Sequence, residues 1–349
     1  MILTNKKTII IATGLFFLAG ALIFYSLFWL YSASSAKNTL ESFSIKNVKL
    51  NSFKDSTNIS IKGFPFNIKI LLNSISLDYY LPKKISLRSN NAQIIFKPWN
   101  PKLVSVHLPQ GVIFLSSTDG RKITTISSKL ITINIQLSND KKISSLRIFS
   151  ESPKLKLYKN NIIFFANNIK SKISDLDANL HSLKPSILMS IENLNSSSGL
   201  INKLNSPITI SHLEARLTHK FKNIAFHKSI AQWRDQGGTI EIDSLKIICD
   251  TLKINSSGTI SIDDKNRPIA AFTAKTSGLI EFIDKLNKKN ILTPTQAIAS
   301  KVTAKIIGKK NHFNQLIFPV TIQYGKVIIG SISLFDLPDV YSIFDIKDS

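Results

Sequence analysis

The chain has 349 residues and is 43% hydrophobic, which supports a large core and excludes a disordered tail. Its formal net charge is +23, from 45 basic and 22 acidic residues, and six of the basic residues are Arg. The Lys-dominated charge is spread evenly, and no basic, aromatic or Gly-rich recognition motif stands out. This excludes nucleic acid as a partner and leaves a solvated surface or one that favours anionic lipid. Cys249 is the only cysteine, so neither an intramolecular disulfide nor a Cys-based metal cluster can form.

The first element is the clearest. Lys6 and Lys7 precede TIIIATGLFFLAGALIFYSLFWLY, residues 8–31, an uncharged run long enough to cross a ~30 Å hydrocarbon core as a helix. Phe28, Trp29 and Tyr31 stand at its far end, where an interfacial aromatic belt is expected. The run exceeds the ~7–15 residues of a removable signal peptide, although Ser34-Ser35-Ala36 offers a site for a cut after Ala36. The expected organisation is a cytoplasmic tail at 1–7, a transmembrane signal anchor at 8–31 and a β-rich domain at 37–349. The anchor places the domain in the periplasm, on a single-pass protein of a bacterial inner membrane.

After a short helical stretch near residue 40, period-two alternation dominates. In ISIKGFPFNIKI, residues 59–70, the apolar positions are odd before Gly63 and even after it. A bulge at Gly63, with Pro65 at an edge, accounts for that phase change. Gly63, Phe64, Pro65 and Phe66 are therefore a sheet kink or, on a functional reading, a lip that touches lipid. Val104, Val106 and Leu108 alternate with polar residues, as do Ile131, Ile133 and Ile135. Such strands bury one face and wet the other, as antiparallel sheets do. No long helical pattern occurs between residue 59 and about 275.

In AQWRDQGGTIEIDSL, residues 231–245, Trp233 packs a corner, Arg234 and Asp235 pair, and Gly237-Gly238 makes a turn. GTIEID at 238–243 recurs as GTISID at 258–263, each copy placing alternating Ile after a Gly turn, at Gly238 and at Gly258. Leu279, Ile280, Phe282, Ile283 and Leu286 have helical spacing, and Thr293-Pro294-Thr295-Gln296 reads as a capping box opening a second helix. Tyr324-Gly325 is the turn of a last hairpin. The expected fold is mainly β. An N-terminal transmembrane helix leads to a large curved antiparallel sheet, open like a half-barrel or taco, with one or two short helices near residues 277–307.

Catalytic chemistry is not visible. The histidines at 107, 181, 212, 219, 227 and 312 lack the i, i+4 spacing of a helical zinc site. There is no phosphate loop, nucleophile elbow or paired-carboxylate motif. No catalytic residue, metal or cofactor is assigned, and the chain is read as a non-enzyme. Cys249, within KIIC, reads as core.

WRDQGGTIEIDSL, GTISIDDKNRPIAAF and FPVTIQYGKVIIGSISL resemble landmarks of the family called domain of unknown function 2125. GFPFNIKI and FKPWNPKLVSVHLP, with Trp99 and Pro101, are similar to its N-terminal half, and the likeness spans roughly residues 40–340. A looser likeness is to AsmA-type envelope proteins, which implies an open, curled sheet with a greasy concave face. Two functions follow as expectations. One is lipid handling in the cell envelope, with membrane lipid as anchor environment and ligand. The other is an envelope scaffold or secretion-apparatus subunit with a protein partner.

Overall fold

The structure is a computed structural model that describes residues 6–46, 59–80, 84–116, 122–140, 142–158, 161–176, 185–218, 226–265, 267–329 and 332–336. It opens with one helix, α1 (Lys6–Lys46), whose stretch Ile11–Leu40 is long and apolar enough to cross a membrane. The expected short helix near residue 40 is the end of this same helix. Everything after it is built on one antiparallel meander.

β1 (Ile59–Lys62) pairs with β2 (Ile68–Tyr80), and β2 with β3 (Lys84–Lys97). β3 runs beside two collinear strands, β4 (Asn100–Pro109) and β5 (Val112–Ser116). The return stroke is β6 (Lys122–Ser127) followed by β7 (Leu130–Leu137). β8 (Ile143–Glu151) and β9 (Lys154–Leu157) go out again, and β10 (Ile162–Phe165) and β11 (Asn168–Ser174) come back. β12 (Ser186–Ser196) spans the full height of this stack. Helix α2 (Gly199–Leu204) leads to β13 (Ile208–Leu217), and helix α3 (Phe226–Asp235) to β14 (Ile240–Cys249). β15 (Leu252–Ile262) and β16 (Pro268–Ser277) continue the meander. Helices α4 (Leu279–Lys288) and α5 (Pro294–Ile307) interrupt it before β17 (Lys309–Lys310), β18 (Leu316–Gln323), β19 (Lys326–Ile329) and β20 (Ile332–Asp336). β1 and β20 lie at opposite ends of the pairing order and do not meet, so the sheet is not a closed barrel.

Several expectations are met here. Thr293 caps α5, its hydroxyl accepting from the Gln296 N–H at 3.2 Å while Gln296 Oε1 accepts from the Thr293 N–H at 2.9 Å. Tyr324 and Gly325, both at positive φ, turn the β18–β19 hairpin. Others are corrected. Helices α2 and α3 lie outside the region where helices were expected. The phase change at Gly63 is not a bulge within one strand. Residues 63–67 are a hairpin loop, closed by the Asn67 N–H on the Gly63 carbonyl at 2.9 Å. Ile61 faces Ile70 across the hairpin, and Ile59 faces Leu72. Odd positions on one strand meet even positions on the next, so the apolar face is continuous. Gly258 lies inside β15, not in a turn, and a Cβ there would meet the Ala271 carbonyl oxygen at 2.2 Å.

Phase changes do occur within strands, along one line across the sheet. β4 gives way to β5 at Gln110-Gly111, β7 joins β6 at Ser128-Lys129, β8 meets β9 at Ser152-Pro153, and β10 meets β11 at Ala166-Asn167. The cross-strand register is the same on both sides of this line, and backbone bonds bridge it, such as Gln110 N–H to Lys129 O at 2.9 Å. Asn91, Gln110, Ser152 and Asn193 take positive φ along it. The side chains buried in the crease are small: Ser89, Gly111, Ser128, Pro153 and Ala166. Space is the reason, since a Cβ on Gly111 would lie 2.9 Å from Ile131 Cδ1. Buried hydroxyls need partners. Ser89 Oγ donates to Pro109 O at 2.7 Å, Ser128 Oγ to Glu151 O at 2.6 Å, and Ser150 Oγ to Ser128 Oγ at 2.9 Å.

Two separate cores flank the sheet. In the first, Trp29 and Ala33 of α1 bury with Ile68, Ile70, Leu72, Ala92, Leu108 and Ile131, with Ala36 and Leu40 packed alongside. Full burial of each Ile or Leu is worth ~1.5–3 kcal/mol. In the second, Ala274, Leu316 and Phe318 pack with Leu279, Ala304 and Ile307 of α4 and α5. The far end of the apolar helix is thus domain core, beginning at Trp29 and before the expected start at Lys37. Trp29 is 7% exposed and faces the sheet rather than its surroundings, whereas Tyr31 is exposed.

Candidate functional site

Directly opposed residues of neighbouring strands share a face. One row of such partners starts at Ile70 and runs through Ile94, Val106, Ile133 and Ile148. It continues through Ser171, Met189, Leu213 and Leu245, then Ser256, Ala274 and Phe318. The row crosses the sheet without an ionisable side chain. Its first part lies under α1 and its last part under α4 and α5.

Between these covers lie β8, β11, β12 and β13. Their side chains on this face include Leu146, Ile148, Ile169, Ser171, Ile173, Ile187, Met189, Ile191, Ile210 and Leu213, all half-buried, while Ser150 on β8 and Ala215 on β13 are buried. The neighbouring apolar rows are covered: Ile131 on β7 and Ile242 on β14 are buried. Their direct partners Ser150 on β8 and Ala215 on β13 are buried as well, so with strands ~4.8 Å apart the half-buried strip from β8 to β13 is about 14 Å wide. Among the described residues no helix belongs to either core over this strip. The chemistry available is that of an apolar trough. It can exclude water from hydrocarbon, at ~0.8 kcal/mol for each methylene buried, and it offers no acid, base or ligand atom.

The opposite face of the same strands is polar. Arg147, Lys170, Lys172 and His212 border a shallow depression of about 410 Å³. Lys170 pairs with Glu192 at 3.4 Å, and His212 Nε2 lies 3.6 Å from Glu214. Hydrogen bonding from Asn168, then the charge of Lys170, holds the Glu192 carboxyl below its usual range. Arg216 Nε binds Asp243 Oδ2 at 2.7 Å, which lowers the Asp243 pKa and raises that of Arg216. Such exposed pairs trim a solvated surface and contribute little each.

The other residues singled out in the sequence fall at three places. Gly63, Phe64, Pro65 and Phe66 form the β1–β2 loop, which docks on α1. Tyr25 Oη donates to Pro65 O at 2.5 Å, Trp29 Nε1 donates to Asn67 O at 3.1 Å, and the Trp29 and Phe64 rings meet edge-on at 5.6 Å. Trp99 stands in the β3–β4 turn at the same end of the sheet, with Pro101 just inside β4 and Lys97 Nζ 5.8 Å from the Trp99 ring centre. Trp233, Gly237 and Gly238 end α3. Gly237 takes φ +74, and the Gly238 N–H bonds Trp233 O at 2.8 Å. A Cβ on Gly238 would sit 2.3 Å from the buried Trp233 ring, and Arg234 Nε binds Asp235 Oδ1 at 2.8 Å. That group is a packed corner. Gly258 lies on the strand face described above. These places do not converge on one site.

His181 and His219 lie outside the described residues. Among the described residues no three His, Cys, Asp or Glu side chains gather as metal ligands. Cys249 is buried, and burial, with the Asp250 charge, pushes its thiol pKa up, away from a reactive thiolate. The trough itself was missed as a set of residues. Its signal is present in the alternation of 187–191, but Ile210 and Leu213 are three residues apart and reach this face only through a register shift between them, and only the strand register puts these positions beside Ile148 and Ile169.

No curated protein and no solved structure matches this chain. The profile of one family, described as an uncharacterized protein conserved in bacteria, matches residues 29–338, beginning at the tryptophan where α1 enters the sheet core. The chain belongs to this family, DUF2125.

Proposed function

We propose that this is a single-pass protein of the bacterial inner membrane. In this reading it holds lipid acyl chains in the periplasm, in the trough between α1 and the α4–α5 pair, and serves upkeep of the envelope. One observation carries the reading: the apolar face of a continuous sheet is covered at both ends and left uncovered over β8, β11, β12 and β13. Ten methylenes half-buried there would contribute about 4 kcal/mol, and two such chains about 8 kcal/mol, which corresponds to roughly micromolar affinity. The trough lacks charged anchors, so the reading assigns acyl chains as the recognised part and leaves a headgroup at the rim.

The scaffold alternative needs a sheet edge on which a partner strand can add. Among the described residues one edge is the five-residue β20, and at the other end β1 covers β2 only as far as Leu72, so β2 beyond it pairs with β3 alone and is the edge such a partner would use. The test is lipid extraction and mass spectrometry on the full chain purified in mild detergent, beside a Met189→Glu, Leu213→Glu variant. Stoichiometric lipid on the wild type that is lost from the folded variant supports the reading. Equal lipid on both defeats it.

A further inference from the structure

We propose that the Gly63–Asn67 loop and the Pro98-Trp99 turn form a foot that seats in the headgroup layer of the bilayer crossed by α1. This rests on α1 as a membrane span and is independent of whether the trough holds lipid. The first argument is position. The loop is tied to α1 at two levels, by Tyr25 to Pro65 and by Trp29 to Asn67 and Phe64. Its height along the helix is therefore fixed at residues 25–29. Residues 8–28 are uncharged and, at ~1.5 Å per residue, extend about 32 Å, close to one hydrocarbon thickness. With Lys6 and Lys7 in one headgroup layer, residues 25–29 reach the other, and the loop goes with them.

The second argument is exposure. Phe64, Phe66 and Trp99 are 56%, 69% and 53% exposed. They stand at one end of the sheet because Ile68, which follows the loop, pairs with Phe96, which precedes the turn. Large rings in water-facing loops find favourable surroundings at a membrane interface. The third is charge. Lys97 Nζ lies 5.8 Å from the Trp99 ring centre, Lys62 and Lys69 stand opposite each other at the strand ends beside the loop, and residues 59–77 and 79–118 contain no Asp or Glu. Such a cationic collar suits anionic headgroups. Seated this way, the sheet stands with its β1–β2 end in the bilayer surface.

The experiment uses the full chain reconstituted in mixed phosphatidylcholine–phosphatidylglycerol vesicles. The emission of wild type minus Trp99→Phe isolates Trp99, an exposed site where Phe is conservative. The expected difference spectrum is blue-shifted and quenched several-fold when the lipid tails are brominated. A red-shifted difference spectrum that brominated tails leave unchanged overturns the proposal. Independently, a nitroxide at Phe66→Cys should collide more with oxygen than with a water-soluble nickel chelate, and one at Thr251→Cys, at the other end of the sheet, the reverse. Equal nickel access at both positions overturns it as well, and so would labels shielded from both reagents by a bound protein.

Discussion

Replacing Ser128 tests whether the sheet bends by a tight crease. The side chain is buried, donates to Glu151 O at 2.6 Å and accepts from Ser150 Oγ at 2.9 Å. Ser128→Ala removes one donated and one accepted bond, and at ~1 kcal/mol each the expected loss is about 2 kcal/mol. Ser128→Leu also forces extra carbons into a site whose neighbour, Gly111, already has no room for a Cβ. Overpacking adds ~1–3 kcal/mol, for a total of about 3–5 kcal/mol. That is a large share of a stability of ~5–15 kcal/mol. Denaturant unfolding of the full chain in detergent, followed by tryptophan fluorescence, measures both. In a double-mutant cycle with Ser150→Ala the two changes should couple by about 1 kcal/mol. A Leu variant within about 0.5 kcal/mol of wild type would refute the reasoning, because a site that admits Leu freely is not the inside of a bend.

Trp29→Phe should cost about 1 kcal/mol for the lost bond to Asn67, and Trp29→Ala about 3–5 kcal/mol for the cavity, both read by the same unfolding assay. A fragment starting at Lys37 lacks Trp29 and Ala33 and leaves Ile68, Ile70 and Leu72 bare, so it should aggregate in size-exclusion chromatography where the full chain in detergent does not. Burial raises the Asp263 pKa, but bonds from the Arg267 and Lys265 N–H groups and the Arg267 guanidinium outweigh it and hold the carboxyl below 3.8. A carboxyl whose pKa is lower in the folded state contributes its stability in full above the unfolded value and loses it as pH falls through the folded one. Between about pH 5 and pH 3 the unfolding midpoint of wild type should therefore drop more steeply than that of Asp263→Asn.

Much of the sheet was legible because period-two alternation is local. Ile131, Ile133 and Ile135 announce their face without any partner, and the α5 capping box lies within four residues. What was not legible depended on partners or on contrast. Trp29, Ala33, Ala36 and Leu40 have helical spacing, but they sit in or beside a run that is apolar all round, so no stripe stands out against it. Phe226, Ile230 and Trp233 carry the i, i+4, i+7 signal of α3 in a short polar stretch that is easily passed over, and the corner that Trp233 packs lies at the end of that helix. The crease was written as a parity change, Ile126 to Ile131 and Phe164 to Ile169, repeated strand after strand. Only when strands are aligned by register does it become one line across the sheet. The trough needed more still, since an uncovered face is defined by what does not pack on it.

The most direct test of the central claim is photocrosslinking in living cells from a diazirine amino acid at position 189, in the trough, with position 172 on the polar face of the neighbouring strand as control. The account predicts that the peptide carrying position 189 gains the mass of a lipid acyl chain with its headgroup, and that the peptide carrying position 172 does not. A single protein adduct at position 189, with no lipid mass, would contradict it and make the trough a protein-binding surface.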